Sequence, residues 1–337
     1  MHQFFKLLFT ITLLVGTLIA ISSYSWLSVW IGLEINLLSI IPLLSDSKNL
    51  YPSESALKYF ITQAMASTIF LFSIVCSINT NEFFSFDQTP IMLMIMDSAL
   101  LTKMGAAPFH AWFPEVMDGL SWMNSLIMLT WQKLAPMVVF MYMTKSTLFI
   151  SSSIIFSSMI GGILGLNQIS LRKIMAYSSI NHIGWMISSM FNSQTIWLIY
   201  FLVYSIISIN IIVIFHILNI FYLKQLFNAL NSNKIFKFFF ILNFLSLGGL
   251  PPFLGFFPKW LTINNLVLNN FLTISVILII STLITLFFYL RITFSTMVIN
   301  SKEMIVQKTS HDTSMVVFLN TVSLAGLVVC TLISEMT

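Results

Sequence analysis

Eleven stretches of this 337-residue chain stay apolar for about 18 residues or more, the length a helix needs to cross a bilayer. They run roughly Phe4 to Ser22, Tyr24 to Leu44, Ala56 to Ile78, Ile91 to Met117, Asn124 to Thr144, Leu148 to Ile169, Ile174 to Phe191, Ile196 to Leu223, Phe238 to Leu266, Phe271 to Phe294 and Met315 to Met336. In hydrocarbon every backbone N–H and C=O needs an internal partner, which a helix supplies. The pattern therefore predicts an all-α polytopic membrane protein, a single membrane domain over 1–337. The fourth and ninth stretches are unusually long, and prolines interrupt both.

Those prolines write a repeat. Gly105-Ala-Ala-Pro108-Phe-His110-Ala-Trp-Phe-Pro114 matches Gly249-Leu-Pro251-Pro252-Phe-Leu-Gly-Phe-Phe-Pro258 at five of ten positions, with an offset of 144 residues. Proline lacks the helix donor and its ring clashes with the preceding turn, so each frame breaks its helix at membrane depth. The frames lie five helices apart and run in opposite directions across the membrane. This predicts an inverted repeat, 4–145 against 148–296, with an additional helix at 313–337. Broken helices in matching places point to a transporter's working site. Kinks made only for packing are the alternative.

Composition sharpens this. Hydrophobic residues make up 58% and charged residues 8%, against about 25% charged in soluble domains, which excludes a soluble globular enzyme. Mean hydropathy is +0.94. Of fifteen basic residues, eleven fall on the N-terminal side of the predicted spans and one, Lys145, on the other, so the N-terminus faces the negative compartment, matrix or cytoplasm. Cys76 and Cys330 have no metal-binding spacing, which argues against zinc or iron–sulfur centres. No secretory cleavage site or Arg-rich transit peptide is read at the N-terminus. The excess of Phe, Met, Ile and Asn suits A/T-rich organelle coding.

Lys103, Lys133, Lys259 and Glu34 fall inside spans, where a lone charge costs about 2.5 to 3.5 kcal/mol on insertion scales. Two of the lysines flank the breaks. Burial disfavours an ammonium and a nearby carboxylate favours it, so such a lysine can load and unload a proton. A structural ion pair for Glu34 and Lys103, a packed or snorkelling Lys133 and an interfacial Lys259 are the alternatives. His110, His182 and His216 are either proton carriers or satisfied core histidines. Asp97 reads as interfacial before catalytic, and Glu115 and Asp118 as a solvated loop.

The stretch Leu101-Thr-Lys103-Met-Gly-Ala-Ala-Pro108-Phe-His110-Ala-Trp-Phe-Pro, the segment Thr-Trp-Gln-Lys133-Leu-Ala-Pro136, the run Leu171-Arg-Lys-Ile-Met-Ala-Tyr177-Ser-Ser-Ile-Asn-His182-Ile-Gly, and Leu250-Pro-Pro-Phe-Leu-Gly-Phe-Phe-Pro-Lys259 resemble the antiporter-like proton-pumping subunits of respiratory complex I. The likeness covers essentially the whole chain and is nearest the shorter animal mitochondrial members, insects included. Longer bacterial members carry fourteen helices, and by this resemblance the chain would lack the equivalent of the first three.

The resemblance implies that Glu34 pairs with Lys103, that Lys133 is the central lysine, that Lys259 lies toward the outlet, and that His182 and His216 bridge the two halves. Gly105, Pro108, His110, Gly249, Pro251, Pro252 and Pro258 support the breaks. It implies a core subunit of a proton-translocating NADH:ubiquinone reductase in the mitochondrial inner membrane. NADH, FMN, iron–sulfur clusters and ubiquinone would sit on other subunits, with structural phospholipid or cardiolipin here. Partners would be the other membrane-arm subunits, the neighbouring antiporter-like subunit among them, with lipid, water and protons and no nucleic acid. A stand-alone cation/proton antiporter and a scaffold with vestigial charges are the competing functions.

Overall fold

The computed structural model describes residues 2–46, 49–83, 90–143, 146–191, 193–230, 234–298 and 320–321. Fourteen helices occur among the described residues, and an isolated antiparallel bridge between Ser170 and Tyr222 is the one extended pairing there. The helices are α1 (His2–Ser22), α2 (Trp26–Leu44), α3 (Leu50–Phe83), α4 (Pro90–Met104), α5 (Trp112–Gly119), α6 (Trp122–Leu129), α7 (Trp131–Met141), α8 (Thr147–Gly165), α9 (Leu171–Met190), α10 (Gln194–Leu218), α11 (Leu223–Leu230), α12 (Lys234–Gly248), α13 (Phe256–Leu268) and α14 (Leu272–Val298).

Six of these, within α1, α2, α3, α8, α10 and α14, are long and apolar enough to cross a bilayer unaided. The fourth predicted stretch is two half-helices, α4 and α5, and the ninth is α12 and α13. The fifth is also interrupted, at Thr130, which sequence reading treated as continuous. Pro136 supplies the reason. It leaves the Gln132 carbonyl without its helix donor, and the preceding turn tightens so that Lys133 N–H donates to Thr130 O at 3.3 Å. The eighth stretch ends early because Asn219 takes a left-handed conformation (φ 51°), and the short α11 follows. The predicted helix at 313–337 lies outside the described residues except Asn320 and Thr321, which are helical. Lys48, Lys145, Lys302 and Lys308 of the charge count also lie outside them.

The chain forms two compact units, Met1–Ser157 and Ser158–Thr337, which divide inside α8. In the first, α3 packs on α2, α4 and α5, and α7 on α4 and α1. In the second, α13 packs on α9, α10 and α14, and α10 on α9 and α12. An aromatic cluster of Phe215, Phe240, Phe244 and Tyr289 fills its interior, with Phe240 and Phe244 centroids 4.6 Å apart. These aromatics contribute buried area rather than a lipid-facing coat.

Candidate functional site

A glycine, not a proline, stops the first half-helix at each break. Gly105 has φ +76° and Gly249 φ +77°, a left-handed conformation in which a side chain is strained. Gly105 N–H donates to Thr102 O and Ala106 N–H to Leu101 O, at 3.1 and 3.0 Å. Gly249 N–H donates to Ser246 O and Leu250 N–H to Leu245 O, at 3.0 and 3.3 Å. The two ends are one Schellman motif built twice. Cis bonds precede Pro108 and Pro252, positions again 144 apart. Pro114 and Pro258 each stand third in the following half-helix, where no intrahelical donor is needed. His110 is half-buried, and its Nδ1 approaches Pro108 O at 3.3 Å within the first break.

A helix end inside a bilayer leaves carbonyls that need donors. The two units meet this need differently. On α4, Trp112 Nε1–H donates to Thr102 O at 3.0 Å, and Gln63 Nε2–H reaches Lys103 O at 3.4 Å. On α12 the lysine itself serves: Lys259 Nζ donates to Leu247 O at 3.1 Å and Gly248 O at 2.8 Å. Lys103 stands in the last turn of α4 and Lys259 reaches back from α13, so both ammonium groups lie at the negative end of a half-helix dipole.

In the first unit Lys103 is 7% exposed and Lys133 1%. A cavity of about 10 Å³, the space one water needs, is lined by Lys103, Asn36, Tyr59, Gln63, Gln132 and Pro136 with Leu33 and Leu37. Gln132 Nε2–H donates to Asn36 Oδ1 at 2.8 Å, and Tyr59 O–H donates to Gln132 Oε1 at 3.3 Å. This network ties α2, α3 and α7 together beside Lys103. Glu34 is half-buried on α2, within electrostatic range of Lys103, but no ion pair joins them here. The pairing implied by the resemblance is thus open in this structure, because Glu34 keeps part of its surface outside while Lys103 faces the cavity. Lys133 Nζ stands 5.5 Å from the Phe113 ring centroid, and Phe113 also packs against Gly105.

In the second unit Lys259 is 7% exposed and 5.9 Å from the Trp185 ring centroid. His182, one turn before Trp185 on α9, is buried and exchanges a 2.9 Å hydrogen bond between Nδ1 and the Tyr200 hydroxyl. A second cavity of about 10 Å³ is lined by His182, Tyr200, Tyr204, Ser246, Leu247, Gly255 and Pro258, with Val203 and Ile207. It joins His182 to the break that Lys259 caps. His216 is exposed on the last turn of α10 and is not among the residues that line that cavity. His216 directly follows the buried Phe215, and successive residues of a helix point about 100° apart, so it leaves the face that α10 buries.

Sequence reading missed Asn36, Tyr59, Gln63, Gln132 and Tyr200. Gln132 beside Lys133, and Asn36 two residues past Glu34, were visible as polar residues in apolar helices. The tyrosines carry no such signal. Asp97, read as interfacial, is completely buried. Lys58 is exposed and pairs with Glu54 and Glu115, each at 3.2 Å, which joins α3 to α5.

The model of the family described as NADH:quinone oxidoreductase/Mrp antiporter, transmembrane, matches residues 23–285. The NADH-ubiquinone oxidoreductase chain 2 of Anopheles gambiae is 49% identical over 336 residues, covering 97% of each chain. That of Locusta migratoria is 47% identical over 298 residues, covering 88% of this chain and 87% of that one. Among solved structures, a chain of respiratory complex I from Thermus thermophilus superposes with a TM-score of 0.86 at 22% identity, covering 96% of this chain and 78% of the other. A chain of the Mrp complex from a Dietzia species gives 0.81 at 13% identity, covering 96% and 75%. The two Schellman-capped breaks thus sit in a shared antiporter-like fold, and the chain belongs to the NADH:quinone oxidoreductase/Mrp antiporter transmembrane family, in the branch of the NADH-ubiquinone oxidoreductase chain 2 proteins.

Proposed function

We propose that this chain is a proton-translocating membrane-arm subunit of respiratory complex I, seated in the mitochondrial inner membrane with its N-terminus toward the matrix. Eleven spans would form inverted repeats over 4–145 and 148–296 with a further helix at 313–337. The observation that carries the reading is the duplicated break, each with a buried lysine at the negative end of a half-helix. A lysine so placed, beside room for one water, binds a proton when a counter-charge approaches and yields it when that charge withdraws. Glu34 is such a counter-charge for Lys103, and the open pair is one of the two states that gating needs. Lys133 takes the proton onward in the first unit, and His182 and Lys259 carry charge in the second.

The chain's relatives are named for NADH–ubiquinone oxidoreduction, and this chain contributes the pumping part of that reaction. The redox groups, NADH, FMN, iron–sulfur clusters and ubiquinone, belong to partner subunits, and structural phospholipid fills the surface between them. The likeness to an Mrp complex favours one second reading, a free-standing cation/proton antiporter. Native electrophoresis of mild detergent extracts separates the two. Co-migration with a very large NADH-oxidising assembly supports the first reading, and recovery only as a monomer or small oligomer overturns it. Within the assembly, Lys103→Met or Glu34→Gln lowers quinone reduction and proton export. Wild-type rates for both would remove the gating role.

A further inference from the structure

The first unit holds a carboxyl that the lysines do not use. Asp97, on α4, is 0% exposed. Its Oδ2 accepts a hydrogen bond from Ser146 Oγ at 2.7 Å, and its Oδ1 has no hydrogen-bond partner among the described residues. Among the described residues no Lys, Arg or His forms an ion pair with it. Holding a carboxyl out of water with one hydrogen bond and no ion-pair partner among the described residues is costly, so a structural role alone does not account for it. Packing does not demand an acid there. Adding the 144-residue repeat offset gives Ile241, buried and apolar.

Its place in the unit is informative. α4 and α7 pack together, and Lys103 at the end of α4 shares a cavity with Gln132 and Pro136 from the first half of α7. Asp97, six residues before Lys103, bonds Ser146, which lies beyond the end of α7. The helices are therefore antiparallel, and Asp97 lies on the far side of both lysines, about 9 Å along α4 from Lys103 at 1.5 Å per residue. This is the end at which α4 begins, the side away from the N-terminus in the topology proposed above.

We propose that Asp97 is a proton-release station of the first unit, an inference that rests on the pumping role proposed above. One proton leaves the ammonium of Lys103 or Lys133, which becomes a neutral amine. Water carries that proton to the Asp97 carboxylate, which becomes the neutral acid. The acid then loses it to the outer aqueous phase, and nothing is oxidised or reduced. Ser146 steadies the carboxylate in the interval before reprotonation. The release station gives this unit an outlet of its own.

The test uses the intact complex in sealed inner-membrane vesicles, with protons exported per NADH oxidised as the readout. Asp97→Asn keeps the shape and an oxygen for Ser146 but cannot carry the proton, so the ratio falls and Asp97→Glu restores it. Infrared difference spectra of turnover against rest lose one protonated-carboxyl C=O band in Asp97→Asn and shift it in Asp97→Glu. A wild-type ratio in Asp97→Asn with an unchanged band overturns the proposal. Should Asp97→Asn fail to assemble, the Asp97→Glu band decides alone, and an unshifted band overturns it. Lys133→Met is run in parallel. If it lowers the ratio while Asp97→Asn does not, only the release station fails. If neither lowers it, the pumping reading itself fails.

Discussion

Replacing each break lysine by methionine should have opposite effects on stability, although both substitutions remove the same charge. Lys259 Nζ is the donor to Leu247 O and Gly248 O, so Lys259→Met leaves two buried carbonyls without that donor. An unsatisfied buried acceptor costs about 1 to 3 kcal/mol, giving about 2 to 6 kcal/mol for the pair. On α4 the carbonyl that matches Leu247 O is Lys103 O, which Gln63 serves, while Trp112 and the backbone of Gly105 and Ala106 take the Thr102 and Leu101 carbonyls, none of them through the lysine ammonium. Lys103→Met orphans none of them and relieves a buried ammonium, so its stability stays level or rises. Thermal inactivation and limited proteolysis of the purified complex read the difference, with proton export measured beside them. Export should drop in both variants, while only Lys259→Met loosens the subunit. Lys259→Gln, whose amide can donate to one carbonyl, should fall between. Equal stability of Lys259→Met and Lys103→Met would refute the assignment of Lys259 as the cap of α12.

Gly105→Ala and Gly249→Ala should each lose about 1 to 2 kcal/mol from the left-handed backbone alone. The second should also impair export more, since a Cβ there would come within 2.7 Å of Lys259 Cδ, and a paired thermal and pumping assay checks both effects. Gln132→Leu, which cuts the link between Asn36 and Tyr59, should slow proton export by loosening α2 from α7, and Gln132→Glu should restore part of it; unchanged export in the leucine variant would count against the network. Tyr200→Phe removes the hydroxyl that holds His182 Nδ1 and should move the pH profile of export without blocking assembly, as a pH series on vesicles shows. Lys58→Ala breaks only exposed ion pairs and should leave assembly and rate unchanged on native gels and NADH oxidation.

The apolar runs, the sparse charge and the repeated Gly–Pro–Phe frame were sufficient to predict an all-α membrane protein with breaks at Gly105 and Gly249, because hydrocarbon enforces helical pairing on every apolar stretch. The same logic marked Lys103, Lys133 and Lys259, since a charge inside such a stretch needs a reason. What lay beyond the sequence depended on which group meets which. Pattern alone attributes each break to proline, whereas the ends are glycine-capped, and the third interruption at Thr130 arises from Pro136 six residues on. The residue order puts Lys103 before the first break and Lys259 after the second; only packing makes Lys259 a helix cap and Lys103 a cavity wall. Asp97, His182 and His216 look alike as isolated polar residues in apolar runs, yet two are buried and one is exposed. Burial is a property of neighbours from distant parts of the chain, such as Ser146 for Asp97 and Tyr200 for His182, and no local period encodes it.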